Sequence, residues 1–205
     1  MTSTNVRDQP DSSQGRTSGR PRNPAVDHAI ARAVCQVLQE RGYTALSFEL
    51  VAASAGVSRP TLYRRASSKA ALVVAALVDQ YGLDPVADTG DIEADLTALQ
   101  QQQIRLYNDA AFQAALPGVL SDIRTDEKAR AAWVTGFVTP RREGVERAVR
   151  QGIDRGQLGP ETDSQWACEI LTGPLVSSAF LLGPHPLPDT LVTETVTLVI
   201  RRFGT

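Results

Sequence analysis

The sequence predicts an all-α protein, on three observations. From Ala25 onward, apolar side chains recur at steps of three and four residues, the period of a helix with one buried face. Gly42, Gly56, Gly82 and the proline-rich run at residues 183–188 punctuate these segments, at spacings that leave helices of ordinary length. Only one segment, residues 191–200, has the β-branched composition of a strand, and a lone strand would have no sheet to join.

The elements follow in order. Residues 1–24 are rich in Ser, Gly, Pro, Gln and Arg, carry no apolar period and read as a flexible basic arm. Val26, Ala29, Ile30, Ala33, Val34, Val37 and Leu38 then define an amphipathic helix that ends at Gly42. Ser47 can cap a second helix, with Phe48, Val51, Ala52 and Ala55 on one face. Gly56 interrupts it, and Ser58 can cap a short third helix reaching about Arg65. Val57 and Leu62 flank that cap with the spacing of a hydrophobic staple. Pro60 falls in the first turn, where its missing N–H costs little. A fourth helix starts at Ser68 and runs through Leu72, Val73, Ala76 and Leu77 to Tyr81.

The remainder continues as helix. Residues 91–108 place Ile92, Leu96, Leu99, Gln103 and Leu106 in register, and residues 110–123 form a shorter apolar helix. Residues 126–155 form a long helix that Pro140 should kink or split. Residues 157–161 make a turn, residues 162–182 a strongly apolar helix, and residues 183–188 a proline-rich break. The last segment is read as helix because Leu191, Thr195, Leu198, Val199 and Arg202 share a helical face.

The formal net charge of −2 seems at first to exclude a polyanionic partner, but a total hides a distribution. Residues 1–69 hold ten Lys or Arg against five Asp or Glu, a net +5, so the remainder carries −7. A basic head on an acidic body suggests two jobs on one chain. An apolar fraction of 42% with 21% charged residues excludes a disordered chain. No apolar run approaches a membrane span, and the first residues lack the apolar core of a secretory signal, so a cytoplasmic location is expected. Cys35 and Cys168 are far apart, as are His28 and His185, which leaves no framework for disulfide, metal or triad chemistry.

Residues 48–65 have the anatomy of a helix-turn-helix: an apolar face on the second helix, a glycine for the turn, and a staple across it. The third helix then offers hydroxyl, phenol and guanidinium groups from Ser58, Arg59, Thr61, Tyr63, Arg64 and Arg65, with Lys69 just beyond. Such groups suit phosphates and base edges.

Here the sequence resembles a family. Residues 25–82 are similar to the DNA-binding domain of TetR-type transcriptional regulators, through the stretch Val51-Ala-Ala-Ser-Ala-Gly-Val-Ser-Arg-Pro-Thr-Leu-Tyr-Arg-Arg, then Ser68-Lys69 and Leu72, preceded by Arg41-Gly-Tyr-Thr-Ala-Leu-Ser. The resemblance implies a helix-turn-helix DNA-binding domain over residues 25–68 and an all-helical effector-binding and dimerisation domain over residues 69–205. Two departures stand out: Arg65 replaces a usual His, and Ala66 a usual aromatic. The resemblance further implies that Ser58, Thr61, Tyr63, Arg65 and Lys69 grip phosphates, while Arg59 and Arg64 reach base edges. Ser47 would bring the start of the second helix to a phosphate. Two such heads in a homodimer would read a palindromic double-stranded operator. In the arm, residues 15–22 resemble a degenerate minor-groove hook, although a solvated basic tail is the preferred reading.

The body holds no catalytic constellation and is not expected to be an enzyme. Residues 56–60 lack the final glycine of a nucleophile elbow. Its aromatic and apolar groups read by themselves as core; the resemblance implies that some of them, with Tyr107, Phe112, Leu116, Trp133, Phe137 and Trp166 as candidates, wall a pocket for a small, largely apolar effector. Gln103, Arg105, Tyr107 and Glu169 are candidate polar contacts. No cofactor and no metal are expected. The two apolar helices at residues 162–182 and 187–203, with Gly173, Ser177, Ser178 and Ala179 small enough for close approach, are the expected dimer face. The expected function is a sequence-specific transcriptional regulator, in the repressing sense, released when an effector shifts the fourth helix. The alternative is a helical ligand-binding protein or enzyme whose helix-turn-helix is incidental.

Overall fold

The computed structural model describes residues 23–181 and 186–205. The chain runs through α1 (Pro24–Ala45), α2 (Phe48–Ala55), α3 (Arg59–Tyr63), α4 (Lys69–Gln80), α5 (Ile92–Tyr107) and α6 (Ala110–Asp122). It continues through α7 (Glu127–Trp133), a π-helical turn (Val134–Val138), α8 (Thr139–Asp154), α9 (Ser164–Leu181) and α10 (Thr190–Phe203). The architecture is the predicted all-α one, and the β-branched last segment is a helix. The arm, including residues 15–22, lies outside the described residues up to residue 22, as does part of the break at residues 183–188. Asn23 accepts from the Ala25 N–H and starts α1 at Pro24.

Side-chain caps explain most helix starts. Ser47, Ser68, Asp91, Asp109 and Asp126 each accept a backbone N–H in the first turn of the helix they precede. Asp163 does the same for α9. Ser58 differs from expectation: it precedes α3 but caps nothing, because its hydroxyl instead pairs with Thr61 Oγ1 at 2.9 Å. Gly42, at φ 74°, ends the regular part of α1 where the sequence places its end. Gly56 adopts the left-handed conformation that closes α2, at φ 65° and ψ 30°.

Pro140 does not split its helix at its own position. It sits in the first turn of α8, and the distortion lies one turn upstream, where the chain widens into the π turn. A proline leaves the carbonyl four residues earlier without its N–H, and widening the turn re-pairs the ladder.

Two apolar cores hold the molecule. One runs without interruption from α1, α2, α3 and α4 into α6, α7 and the π turn, with Leu38, Val51, Leu62, Leu77 and Phe112 fully buried. The other joins α5, α8, α9 and α10 around Leu96, Leu158, Leu171 and Val199. The head therefore shares its core with the body. Ala179, expected on the dimer face, is turned into the subunit's own core.

Ala66, at the position where the resemblance implies an aromatic, is buried beside a cavity of about 140 Å³ lined also by Ile30, Ala31, Leu72 and Ala75. Filling apolar space removes a cavity penalty. Ala66→Phe is expected to raise the thermal midpoint by roughly 2–4 °C, the equivalent of about 1 kcal/mol in a chain of this size. A lower midpoint in differential scanning calorimetry would mean that the walls cannot admit the ring.

Candidate nucleic-acid interface and effector cavity

The helix-turn-helix presents α3 on a rigid support. Tyr63 is 57% exposed, yet its ring lies flat on Phe48, with centroids 4.5 Å apart and planes 5° apart. The stack joins the start of α2 to the end of α3 and fixes where the phenol can reach. Along the same helix, Ser58 and Thr61 share a hydroxyl hydrogen bond, and Arg64 Nη2 donates to Thr61 Oγ1 at 3.3 Å. Arg59 is exposed and lies 3.3 Å from Glu49, an open pair that is easily exchanged for another anion. Ser58, Arg59, Thr61, Tyr63 and Arg64 are thus gathered on one short surface. Ser47 is occupied as the cap of α2, accepting from the Leu50 N–H at 3.3 Å.

Two expected phosphate ligands are placed differently. The Arg65 guanidinium is only 21% exposed, because it donates to Asp27 Oδ1 at 2.5 Å and to the Thr61 carbonyl at 3.1 Å. It ties α3 to α1. Lys69 donates to the Tyr43 carbonyl at 3.2 Å and stands 4.4 Å over the Tyr43 ring.

Helix α4 is fastened to the body at both ends. At its start, the Ser68 hydroxyl caps α4 and donates to Asp126, which in turn caps α7, so one hydrogen bond joins two helix starts. At its end, the Tyr81 hydroxyl donates to Asp109, the cap of α6, and the Tyr81 carbonyl accepts from Arg141 Nη2 at 2.6 Å. Along the last turn of α4 the π turn also approaches closely: a side chain on Gly136 would come within 2.9 Å of Val78. A further tie runs from Tyr43, whose hydroxyl donates to Asp122 at 2.7 Å.

The hydrogen bond from Ser68, with the Ala129 N–H next, holds the Asp126 carboxyl below its ordinary value. A carboxyl depressed in the folded state contributes stability that is complete above the ordinary carboxylate range and lost as pH falls through the lowered value. Ser68→Ala removes the larger cause. Acid unfolding followed by circular dichroism is therefore expected to begin at a higher pH in this variant than in the wild type; coincident curves would remove the latch from the account.

The body contains a cavity of about 140 Å³ between α5, the π turn, α8 and α9. Tyr107, Trp133 and Phe137 line it, as the sequence predicts. Phe112, Leu116 and Trp166 do not. Phe112 is fully buried at the centre of a ring cluster with Tyr81, Tyr107 and Phe137, and Leu116 packs in the same core. Trp166 is 53% exposed on the outer side of α9. Of the candidate polar contacts, Gln103, Tyr107 and Glu169 reach the cavity, while Arg105 lines an adjoining depression beside Tyr81 that shares Leu83, Gln103 and Arg141 with it.

The sequence reading did not single out Gln100, Arg141 or Arg142, which also line the cavity. Gln100 is satisfied by the Leu171 carbonyl and Thr195 Oγ1, at 2.6 and 2.8 Å. Arg142 pairs with Glu169 at 2.6 Å. Arg141 lies over the Phe137 ring, 3.6 Å from its centroid, and donates only to neutral oxygens. Burial lowers its guanidinium to about 10, opposed by Tyr107, so it stays charged at neutral pH. Burial pushes the Tyr107 phenol up to about 12, which leaves it a neutral hydroxyl. The signal for Arg141 was its place four residues after Phe137, on the same helical face.

Comparison with known proteins agrees with this anatomy. Residues 30–76 match the family described as bacterial regulatory proteins, tetR family, and residues 86–199 match the tetracyclin repressor-like C-terminal domain. An uncharacterized HTH-type transcriptional regulator of Mycobacterium bovis is 29% identical over 92% of this chain and 89% of its own. A DNA-binding transcriptional repressor TetR of Mycobacteroides abscessus is 30% identical over 86% of this chain and 94% of its own. The crystal structure of the TetR family transcription regulator SCO0332 superposes with a TM-score of 0.67 at 28% identity, covering 86% of this chain and 97% of that one.

Proposed function

The chain belongs to the TetR family of bacterial transcription regulators, and from that premise we propose that it is a repressor that holds a palindromic operator as a homodimer and releases it when a small, largely apolar effector enters the body. The observation that carries this reading is α4. It forms part of the head's core, yet Ser68–Asp126 fastens its start and Arg141–Tyr81 its end to a body that contains the cavity.

The coupling follows from the contacts. Phe137 and Arg141 line the cavity; Phe137 lies in the π turn that presses on α4, and Arg141, in α8, holds the Tyr81 carbonyl at its end. A ligand that displaces them shifts α4, and with it α1 and α3. Operator and effector then favour different separations of the two heads, and each weakens the other's binding. Arg59 and Arg64 would read base edges, while Ser58, Thr61 and Tyr63 would hold phosphates. Ser47, Arg65 and Lys69, engaged within the head, would act by keeping α2, α3 and α4 in place.

The dimer face proposed is the outer side of α9 and α10. Trp166, Val176, Leu181 and Leu198 are exposed there, Leu181 by 78% and Leu198 by 54%, with Gly173 and Ser177 between them. Apolar side chains in such number on one side are unusual for a free surface. Among the described residues no helix is long and apolar enough to cross a membrane. A DNA-binding regulator works where the genome is, which supports the cytoplasm.

Light scattering combined with mobility shift tests the reading. The expected result is a particle of twice 22.1 kDa that shifts its own upstream DNA as one discrete complex. A monomer at micromolar concentration that shifts no duplex specifically would contradict it and favour the incidental helix-turn-helix.

A further inference from the structure

We propose that the effector is a monoanion, a carboxylate on an apolar body, and that Arg141 receives it. This rests on the cavity being the effector site. Among the described residues Arg141 enters no ion pair, although its side chain is largely withdrawn from water. Its three hydrogen bonds go to the Phe137 carbonyl, the Tyr81 carbonyl and Gln103 Oε1, at 2.9, 2.6 and 3.3 Å. The other two charges of the cavity wall, Arg142 and Glu169, cancel each other at 2.6 Å. The wall thus carries one uncompensated positive charge.

A cation out of water without a counter-ion is costly, and an anion presenting two oxygens to the guanidinium fork relieves that cost. One guanidinium with one neutral phenol, Tyr107, matches a single negative charge better than a phosphate dianion. Leu99, Trp133, Phe137, Val145 and Leu171 make much of the remaining wall apolar, and its other polar side chains, Gln100, Gln103, Cys168 and Thr172, are neutral. The volume of about 140 Å³ is close to that of protein cavities of roughly 150 Å³ that take up a benzene ring.

The same guanidinium also transmits the signal. Arg141 Nη2 holds the Tyr81 carbonyl, which closes α4. A carboxylate that engages both Nη atoms competes with the Phe137 and Tyr81 carbonyls. The end of α4 loses its donor when the anion binds, and a neutral ligand of the same shape leaves that donor in place.

The test uses the full chain carrying Trp166→Phe, so that Trp133 in the cavity wall is its one tryptophan. 3-Phenylpropionate and octanoate are each titrated against their primary amides by Trp133 fluorescence. The expected result is binding of at least one acid about tenfold or more tighter than its amide, the scale of one charge-assisted hydrogen bond. The acid-to-amide ratio falls toward one in Arg141→Met and is partly kept in Arg141→Lys. The wild-type ratio and the Lys variant serve if the Met variant does not fold. Acid and amide binding equally would overturn the anion and leave the cavity as a binding site. An acid preference that survives both Arg141 variants would overturn the assignment of Arg141. Binding of none of the four probes would remove the cavity as an effector site, and this proposal with it.

Discussion

Arg59→Ala is expected to lower affinity for the operator by about ten- to a hundredfold, the scale of losing one good base contact at about 1–3 kcal/mol. Affinity for an unrelated duplex is expected to change by about threefold at most, because phosphate attraction from the rest of the head remains. The physical case rests on what Arg59 does in the free protein. Its only ion pair among the described residues, with Glu49, is exposed and 3.3 Å long, so the guanidinium leaves it at little cost. The variant should therefore keep its thermal midpoint. Arg65→Ala behaves in the opposite way: it breaks the bonds to Asp27 and Thr61 that tie α3 to α1, so it should lower stability and weaken binding to every duplex together. Fluorescence anisotropy with operator and scrambled duplexes separates the two patterns. Equal loss on both duplexes in Arg59→Ala would make Arg59 a phosphate contact, and no loss would remove it from the interface.

Gly118→Ala is expected to destabilise the chain, against the rule for glycines within helices. Alanine in mid-helix normally gains about 0.5–1 kcal/mol over glycine. Here the added methyl would lie 2.1 Å from Tyr43 Cδ1 and 2.5 Å from Cγ. The ring cannot turn aside freely, because its hydroxyl is held by Asp122 and Lys69 covers its face. Overpacking of this kind costs about 1–3 kcal/mol or more, which exceeds the gain in propensity. The thermal midpoint should fall by roughly 3–8 °C, and the head should lose its fixed seat on α6. The double variant Tyr43→Ala/Gly118→Ala isolates the cause: with the ring absent, the methyl should be neutral or favourable. A single Gly118→Ala that raises the midpoint would show that Tyr43 does not sit where this account requires.

How far the sequence revealed the molecule depended on the range of the forces involved. Helix starts were legible because capping is local: Ser47, Ser68 and Asp91 sit directly before apolar periods. The helix-turn-helix was legible because Gly56, Val57 and Leu62 form one short-range unit. The last helix was legible despite its β-branched residues because no sheet existed for it. The cavity was only half legible. Aromatic residues at helical spacing can face a core or a pocket, and tertiary packing decides which. Phe112 went to the core because Tyr81, Tyr107 and Phe137 surround it, and Trp166 stayed outside because none of the described residues covers that side of α9.

Arg141 was hidden for a more specific reason. In a Pro-Arg-Arg-Glu context it reads as one of several solvated charges. The π turn admits extra residues before α8, and each extra residue rotates the following helix by about 100°. That rotation brings Arg141 and Arg142 to the cavity wall, where Pro140 and the four-residue step from Phe137 were the local signals. The Arg65–Asp27 pair was not legible because Asp27 lies on another helix 38 positions away.

We propose that α3 of this chain reads a palindrome in DNA. DNase footprinting of the gene's own upstream region with the wild-type chain tests it most directly. The expected result is one protected palindrome with half-sites about one helical turn apart, roughly 34–36 Å centre to centre, lost in Arg59→Ala at the same salt. Protection of no segment at any salt concentration, or the same protection by Arg59→Ala as by the wild type, would contradict it.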